Sequence, residues 1–237
     1  MACLTPATSD KGYRVSNDNG RTPPGDPWSV TLTYRHQHYW WFSADNAPET
    51  WHVSADIDDG SGPNGGSHVG DMDITLVDAY ETSDPFALLD GQDAELGHVA
   101  GTLFDAGDGR LDPDLDEQLE PIGSRILILH SVRLVRQWRG FGLGALLAGS
   151  AIRKLSGGAR AAVCYPAPLN EPPEAGTGER SDAEWDTAVA ALQQVWARLG
   201  FEHFRDGVHV LDLSLVTLDQ KLAQLRKSAG RYRTFQD

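Results

Sequence analysis

Apolar and polar residues alternate at period two in several stretches, and each predicts a strand. In the first third they are "WSVTLTYR" (28–35), "YWWFS" (39–43) and "TWHVSADI" (50–57). "DDGSGPNGGS" (58–67) reads as a loop or hairpin tip, and "DMDITLVDA" (71–79) as the next strand. "DPFALLDGQDAEL" predicts a helix capped by Asp84 with Pro85 at its first position. "GHVAGTLFD" (97–105) reads as a strand, and "DGRLDPDLDEQLEPIG" as an acidic connection with at most a helical turn. In "RILILHSVRLV" (125–135), Ile126 to Leu129 are all apolar, which predicts a central strand covered on both faces. The period then changes. Leu143, Leu146, Leu147, Ala151 and Leu155 fall at i, i+3, i+4, i+8 and i+12, one stripe of a helix over 142–156. A short strand, "AAVCY" (161–165), precedes a Pro- and Gly-rich loop. A helix over 183–200 follows, with Asp182 as cap and Gly200 as stop. "FEHF" and "VHVLDLS" form a hairpin around "RDG", and "TLDQKLAQLRKSAGRY" predicts a last helix. Residues 1–26 are polar and read as a mobile tail, leaving 27–237 as a single α/β domain.

Composition narrows the function classes. The 237 residues are 40% apolar, enough for one sizeable core. No run reaches the ~18 apolar residues of a membrane span, and the N-terminus lacks the pattern of a secretory signal. Two cysteines, Cys3 and Cys164, make a disulfide framework or a cysteine zinc site unlikely to arise, so a cytoplasmic setting and no metal are expected. The net charge of −14 argues against a nucleic-acid partner. It permits a cationic substrate, although acidity also simply keeps a protein soluble. The acidic loops "DIDDGSGPNGG" and "DAGDGRLDPDLD" lack calcium-loop spacing and read as solvated connections.

The most informative stretch is "RQWRGFGLGALLAGSAIRKL", with three glycines in five residues just where a helix must start. Glycine weakens helix interiors. As a dinucleotide-binding turn, Gly140-x-Gly142-x-x-Ala145 lacks the acidic residue at the end of the next strand. As a P-loop it lacks Gly-Lys-Ser/Thr. It also fits a purely structural tight turn. The remaining reading includes Arg139. Arg139-x-x-Gly142-x-Gly144 follows a buried strand and opens a helix. This pattern resembles the acyl-CoA motif of the GNAT superfamily of N-acetyltransferases. "VWARLGF" (195–201) resembles the second motif of that superfamily, and the terminal hairpin matches its close. The resemblance covers about residues 97–213 and is also similar to poorly characterised bacterial members with a longer N-terminal half.

The resemblance implies a twisted mixed β-sheet flanked by helices on both faces. It implies acetyl-CoA as co-substrate and an amine acceptor (small molecule or peptide); composition adds no membrane or nucleic-acid partner, and the chain is expected as a monomer or homodimer. Backbone amides of Gly140, Phe141, Gly142, Leu143, Gly144 and Ala145 would cradle the diphosphate, since a helix N-terminus carries free N–H groups and a positive dipole end. The central strand would splay at a bulge, with Val132, Arg133 and Leu134 pairing with the pantetheine arm. Val132 N–H would meet the oxyanion. Arg139 would touch phosphate or brace the loop. A lysine-like ammonium must lose a proton before it attacks, which at pH 7 costs about 4–5 kcal/mol. His130 interrupts its apolar strand nine positions before Arg139 and is the candidate proton acceptor, at a place where the superfamily also has a histidine; the alternative is a packed histidine. His98 is a second candidate. The superfamily often has a tyrosine acid where this chain has Trp196, and Tyr165 is the candidate substitute. The aromatic run at 39–42 would line an acceptor pocket or belong to the core. Two alternatives stay open: a non-catalytic acyl-CoA-binding or regulatory protein, and a nucleotide-binding oxidoreductase.

Overall fold

The strand alternation resolves into one mixed sheet. In the computed structural model, residues 20–38, 47–57, 67–82, 84–105, 107–168 and 181–232 are described. Among them are seven strands: β1 (Val30–His36), β2 (Glu49–Ile57), β3 (His68–Asp78), β4 (Arg125–Leu134), β5 (Ala159–Cys164), β6 (Glu202–Arg205) and β7 (Val208–Asp212). Their order is β1-β2-β3-β4-β5-β7-β6, and every pairing is antiparallel except β4 with β5. The helices are α1 (Pro85–Asp90), α2 (Ala94–Leu103), α3 (Pro113–Gln118), α4 (Leu143–Leu155), α5 (Asp182–Ala197) and α6 (Thr217–Ala229). The aromatic run at 39–43, the tip at 58–66, most of the Pro-rich loop (169–180), Cys3 and residues 1–19 lie outside the described residues.

β4 shows why its apolar run is unbroken. Leu127 and Leu129 pack with residues of α4 and α6 on one face. Ile126 and Ile128 pack with residues of α2 and α3 on the other. Both faces are covered, so neither has a polar alternate.

One expected strand is a helix. Residues 94–103 form α2 because Leu96, Val99, Ala100 and Leu103, at i, i+3, i+4 and i+7, are all buried on one stripe. Gly97 belongs to the packing of α1 on α2, since a Cβ there would lie 2.2 Å from Asp90 Oδ1. At α5 the cap is Ser181, one residue before the expected Asp182. Ser181 and Glu184 form a reciprocal capping box that satisfies two end amides together. The described end of the expected tail packs on the fold. Pro23 is buried, Asp26 caps a 3-10 turn, and the Arg21 guanidinium lies 5.7 Å from the Phe141 ring.

The open face of β2, β3 and β4 carries a polar network. His68 bridges Asp56 and Asp71, both at 2.9 Å, and His52 contacts Asp73 at 2.9 Å. The hydrogen bond to Asp56 raises the His68 pKa above 6.5, against some opposition from burial. Burial pushes the Asp56 carboxyl up, but hydrogen bonds from Ser54 and His68 outweigh it and leave it below 3.8. His68 therefore contributes stability that is full below pH 6.5 and is lost as pH rises through its raised folded pKa. Asp56 contributes stability present above 3.8 and lost as pH falls through its lowered value. These side chains are over a third exposed, so the effect is small, about 0.5–1 kcal/mol. His68→Gln is expected to cost that much at pH 5.5 and less at pH 8.5, as read by urea unfolding at both.

Candidate active site

The parallel pairing of β4 with β5 stops at Leu129↔Cys164, while β4 continues alongside β3 to Gly70↔Leu134. Beyond Leu129 the β5 edge of β4 is open. The ladder to β3 jumps from Ile74↔Leu129 to Asp73↔Ser131, so His130 is the extra residue of a bulge. The bulge reverses the strand's alternation. Leu127 and Leu129 face the α4 side before it, and Val132 and Leu134 pack toward that side after it. Val135 N–H bonds to Val69 O at 2.9 Å. Alternation along an antiparallel ladder then turns the main-chain groups of Val132 and Leu134 to the open edge. Arg139 Nε donates to the Leu134 carbonyl at 2.7 Å and braces the loop, while the amides of Val132 and Leu134 stay at the open edge.

A cleft of about 600 Å³ runs along this edge. His130, Val132, Arg133 and Leu134 line one wall, and Tyr165 and Trp196 line the other. Its end is formed by Arg139, Gly140, Gly142, Leu143, Gly144 and Ala145. Phe141 is buried in the core and also borders an adjoining hollow shared with Gly140, Gly142, Arg198, Lys221 and Arg231. Gly140 and Gly142 have φ of 87° and 74°, the left-handed region where glycine has no steric penalty. Gly142 caps α4 without any side-chain hydrogen bond, and a Cβ there would meet nothing within 4 Å. The first turn of α4 thus presents its amides and positive dipole end at the head of the cleft. Arg198 and Lys221 add positive charge there in a chain of net charge −14.

At the other end, His130 Nε2 lies 3.0 Å from Asp93 Oδ2, with 29% of its side chain exposed. The Asp93 carboxylate thus lies within ion-pair distance of the ring and favours an imidazolium there when His130 takes a proton. Asp93 is itself fixed, because its Oδ1 accepts the Glu95 and Leu96 amides at 2.8 and 3.0 Å as the cap of α2. Ser131 Oγ donates to Asp73 Oδ2 at 2.8 Å beside it. His98 stands on α2, not on a strand. Its Nε2 donates to Asp206 O at 3.0 Å and its ring meets Tyr165 edge-on at 4.8 Å. It braces Tyr165 and does not line the cleft. Trp196 is buried, 6.1 Å from Phe201. Cys164 lines the cleft as a buried thiol whose pKa burial pushes up.

Sequence reasoning misses Asp93 and Glu95 because the pattern joins 84–96 into one helix and starts a strand at 97, whereas a new helix begins after Asp93. Asp93 three residues before the buried Leu96, at the head of a 3.6-period stripe, was the signal. Searches of protein-family models, curated protein sequences and solved structures give no match to this chain. Among the described residues no helix is long and apolar enough to cross a membrane.

Proposed function

We propose that this protein is an N-acetyltransferase that moves an acetyl group from acetyl-CoA to an amine by direct attack in a ternary complex. One observation carries the reading: an open strand edge leads along a cleft to a helix N-terminus that glycine leaves uncapped. A long ligand with an extended amide-bearing arm and an anionic end matches that sequence of groups. The arm pairs with the edge at Val132, as a further strand would. The diphosphate sits on the amides of Gly142 to Ala145, with Arg198 and Lys221 nearby. The Val132 amide faces the carbonyl oxygen as it becomes anionic. His130, with the Asp93 carboxylate beside it, receives a proton from the attacking nitrogen. Tyr165 is the donor for the departing sulfur.

Free thiol release in the presence of acetyl-CoA and an amine panel tests the reading, with calorimetry for CoA binding. His130→Gln is expected to lower kcat roughly 100-fold without changing CoA affinity. An unchanged kcat would remove His130 from the chemistry. Trp196 favours a second reading, an acyl-CoA-binding or regulatory protein without turnover, because a buried indole does not supply the proton a tyrosine would. Saturable CoA binding with no turnover on any amine would select it.

A further inference from the structure

Among the described residues, four charged side chains other than histidine line the cleft: Glu95, Arg133, Arg139 and Arg198. Glu95 is the one anion among them. It is half-buried on the first turn of α2, and its carboxylate makes no hydrogen bond to any described residue. The neighbouring carboxylates differ. Asp93 is held by His130 and two amides, and Asp73 by His52 and Ser131. A half-buried carboxylate without a partner is costly unless something else supplies one. Burial raises the Glu95 pKa and the Asp93 charge adds to it, while the charges of His130 and His98 oppose it. The α2 dipole favours a carboxylate at this position but supplies no donor to it.

We propose that the Glu95 carboxylate seats the ammonium of the acceptor and takes its first proton, and that the acceptor is a primary alkylamine with no carboxylate beside the nitrogen. The inference rests on the acetyl-transfer reading. A second carboxylate next to the amine would stand against Glu95, and like charges at close range disfavour each other. Most of the remaining wall is apolar, with Leu129, Pro166, Pro168, Leu192 and Trp196, which suits an alkyl body. The proton count balances. The ammonium N–H bond breaks toward Glu95 and leaves its electron pair on nitrogen. That pair forms the C–N bond while the carbonyl pair moves to oxygen. The oxygen pair then re-forms the carbonyl as the C–S bond breaks and its pair leaves with sulfur. His130 takes the second nitrogen proton, the sulfur gains one from Tyr165, and Tyr165 is reprotonated from His130. The net products are amide, thiol and the one proton Glu95 returns to solvent. Each unit by which the Glu95 pKa rises makes the first transfer about tenfold less uphill.

Pentylamine and norleucine differ by one carboxylate and provide the test, with acetyl-CoA as donor. The wild-type protein is expected to acetylate pentylamine with kcat/KM at least about 30-fold above norleucine. Glu95→Gln is expected to lower kcat/KM for pentylamine roughly 100-fold, to shrink the preference over norleucine, and to leave calorimetric CoA affinity unchanged. Glu95→Asp, which keeps the charge on a shorter arm, should recover part of the rate. Equal use of both amines, or a Glu95→Gln variant as fast as wild type, overturns the proposal. CoA binding with turnover of neither amine overturns the proposed acceptor class and leaves the cofactor reading standing. Failure of the wild type to bind CoA overturns both.

Discussion

Gly142→Glu is expected to lower CoA affinity by about 100-fold or more, near 3 kcal/mol, while the protein stays folded. Three features set the size. A carboxylate would enter where the diphosphate's charge is to be held. It would also compete for the α4 end amides, which carry no side-chain cap. And φ of 74° at this position puts any L-residue under strain of roughly 1–2 kcal/mol. The fold should tolerate that strain, because a Cβ at Gly142 meets no protein atom within 4 Å. Gly142→Ala separates the terms, since it carries the backbone strain without the charge. Calorimetric titration with CoA, beside thermal melts of both variants, is the measurement. Unchanged affinity in the Glu variant would count heavily against the diphosphate site.

The largest stability effect is expected at Arg160, which is 3% exposed. Its Nε donates to Glu120 O at 2.7 Å, and its Nη2 to Leu119 O at 2.7 Å and Asp116 O at 2.9 Å. Its Nη1 reaches Tyr80 Oη at 2.6 Å and pairs with Asp116 Oδ1. One guanidinium thus closes the carbonyls at the end of α3 and ties that helix to β5, where the positive charge also suits the helix C-terminus. Arg160→Met keeps much of the length and removes every donor. It is expected to destabilise the fold by about 2–4 kcal/mol, because the buried Leu119 carbonyl and the part-buried Glu120 and Asp116 carbonyls lose their donor at once. Denaturant unfolding of the variant beside wild type measures this. A loss below 1 kcal/mol would mean that water reaches those carbonyls.

Elements whose residues face one environment along their length were legible in the sequence. The β4 run Ile126–Leu129 announced a strand covered on both faces, and the stripe from Leu143 to Leu155 announced α4. The glycines before α4 were legible too, because left-handed backbone leaves a compositional trace. The segment 94–103 is ambiguous because Val99, Thr102 and the adjoining Phe104 are residue types that suit a strand. The period-3.6 set starting at Leu96 was the stronger pattern over the full length. Short segments admit both periods, and burial decides between them.

The sequence by itself determined the strand and helix inventory around the glycine turn, the apolar centre of the sheet, and a helix start at glycine without a side-chain cap. These follow from local backbone preference and from periodicity, which a chain carries wherever it folds. Tertiary structure alone decided where β4 leaves β5, and that His130 is the bulged residue, because register belongs to two strands and is written in neither. It also decided that Asp93 lies against His130, that Glu95 lines the cleft, and that Arg160 closes α3. The His130–Asp93 and Arg160–Leu119 contacts join residues 37 and 41 positions apart, and only the packing of α2 and α3 against the sheet brings them together.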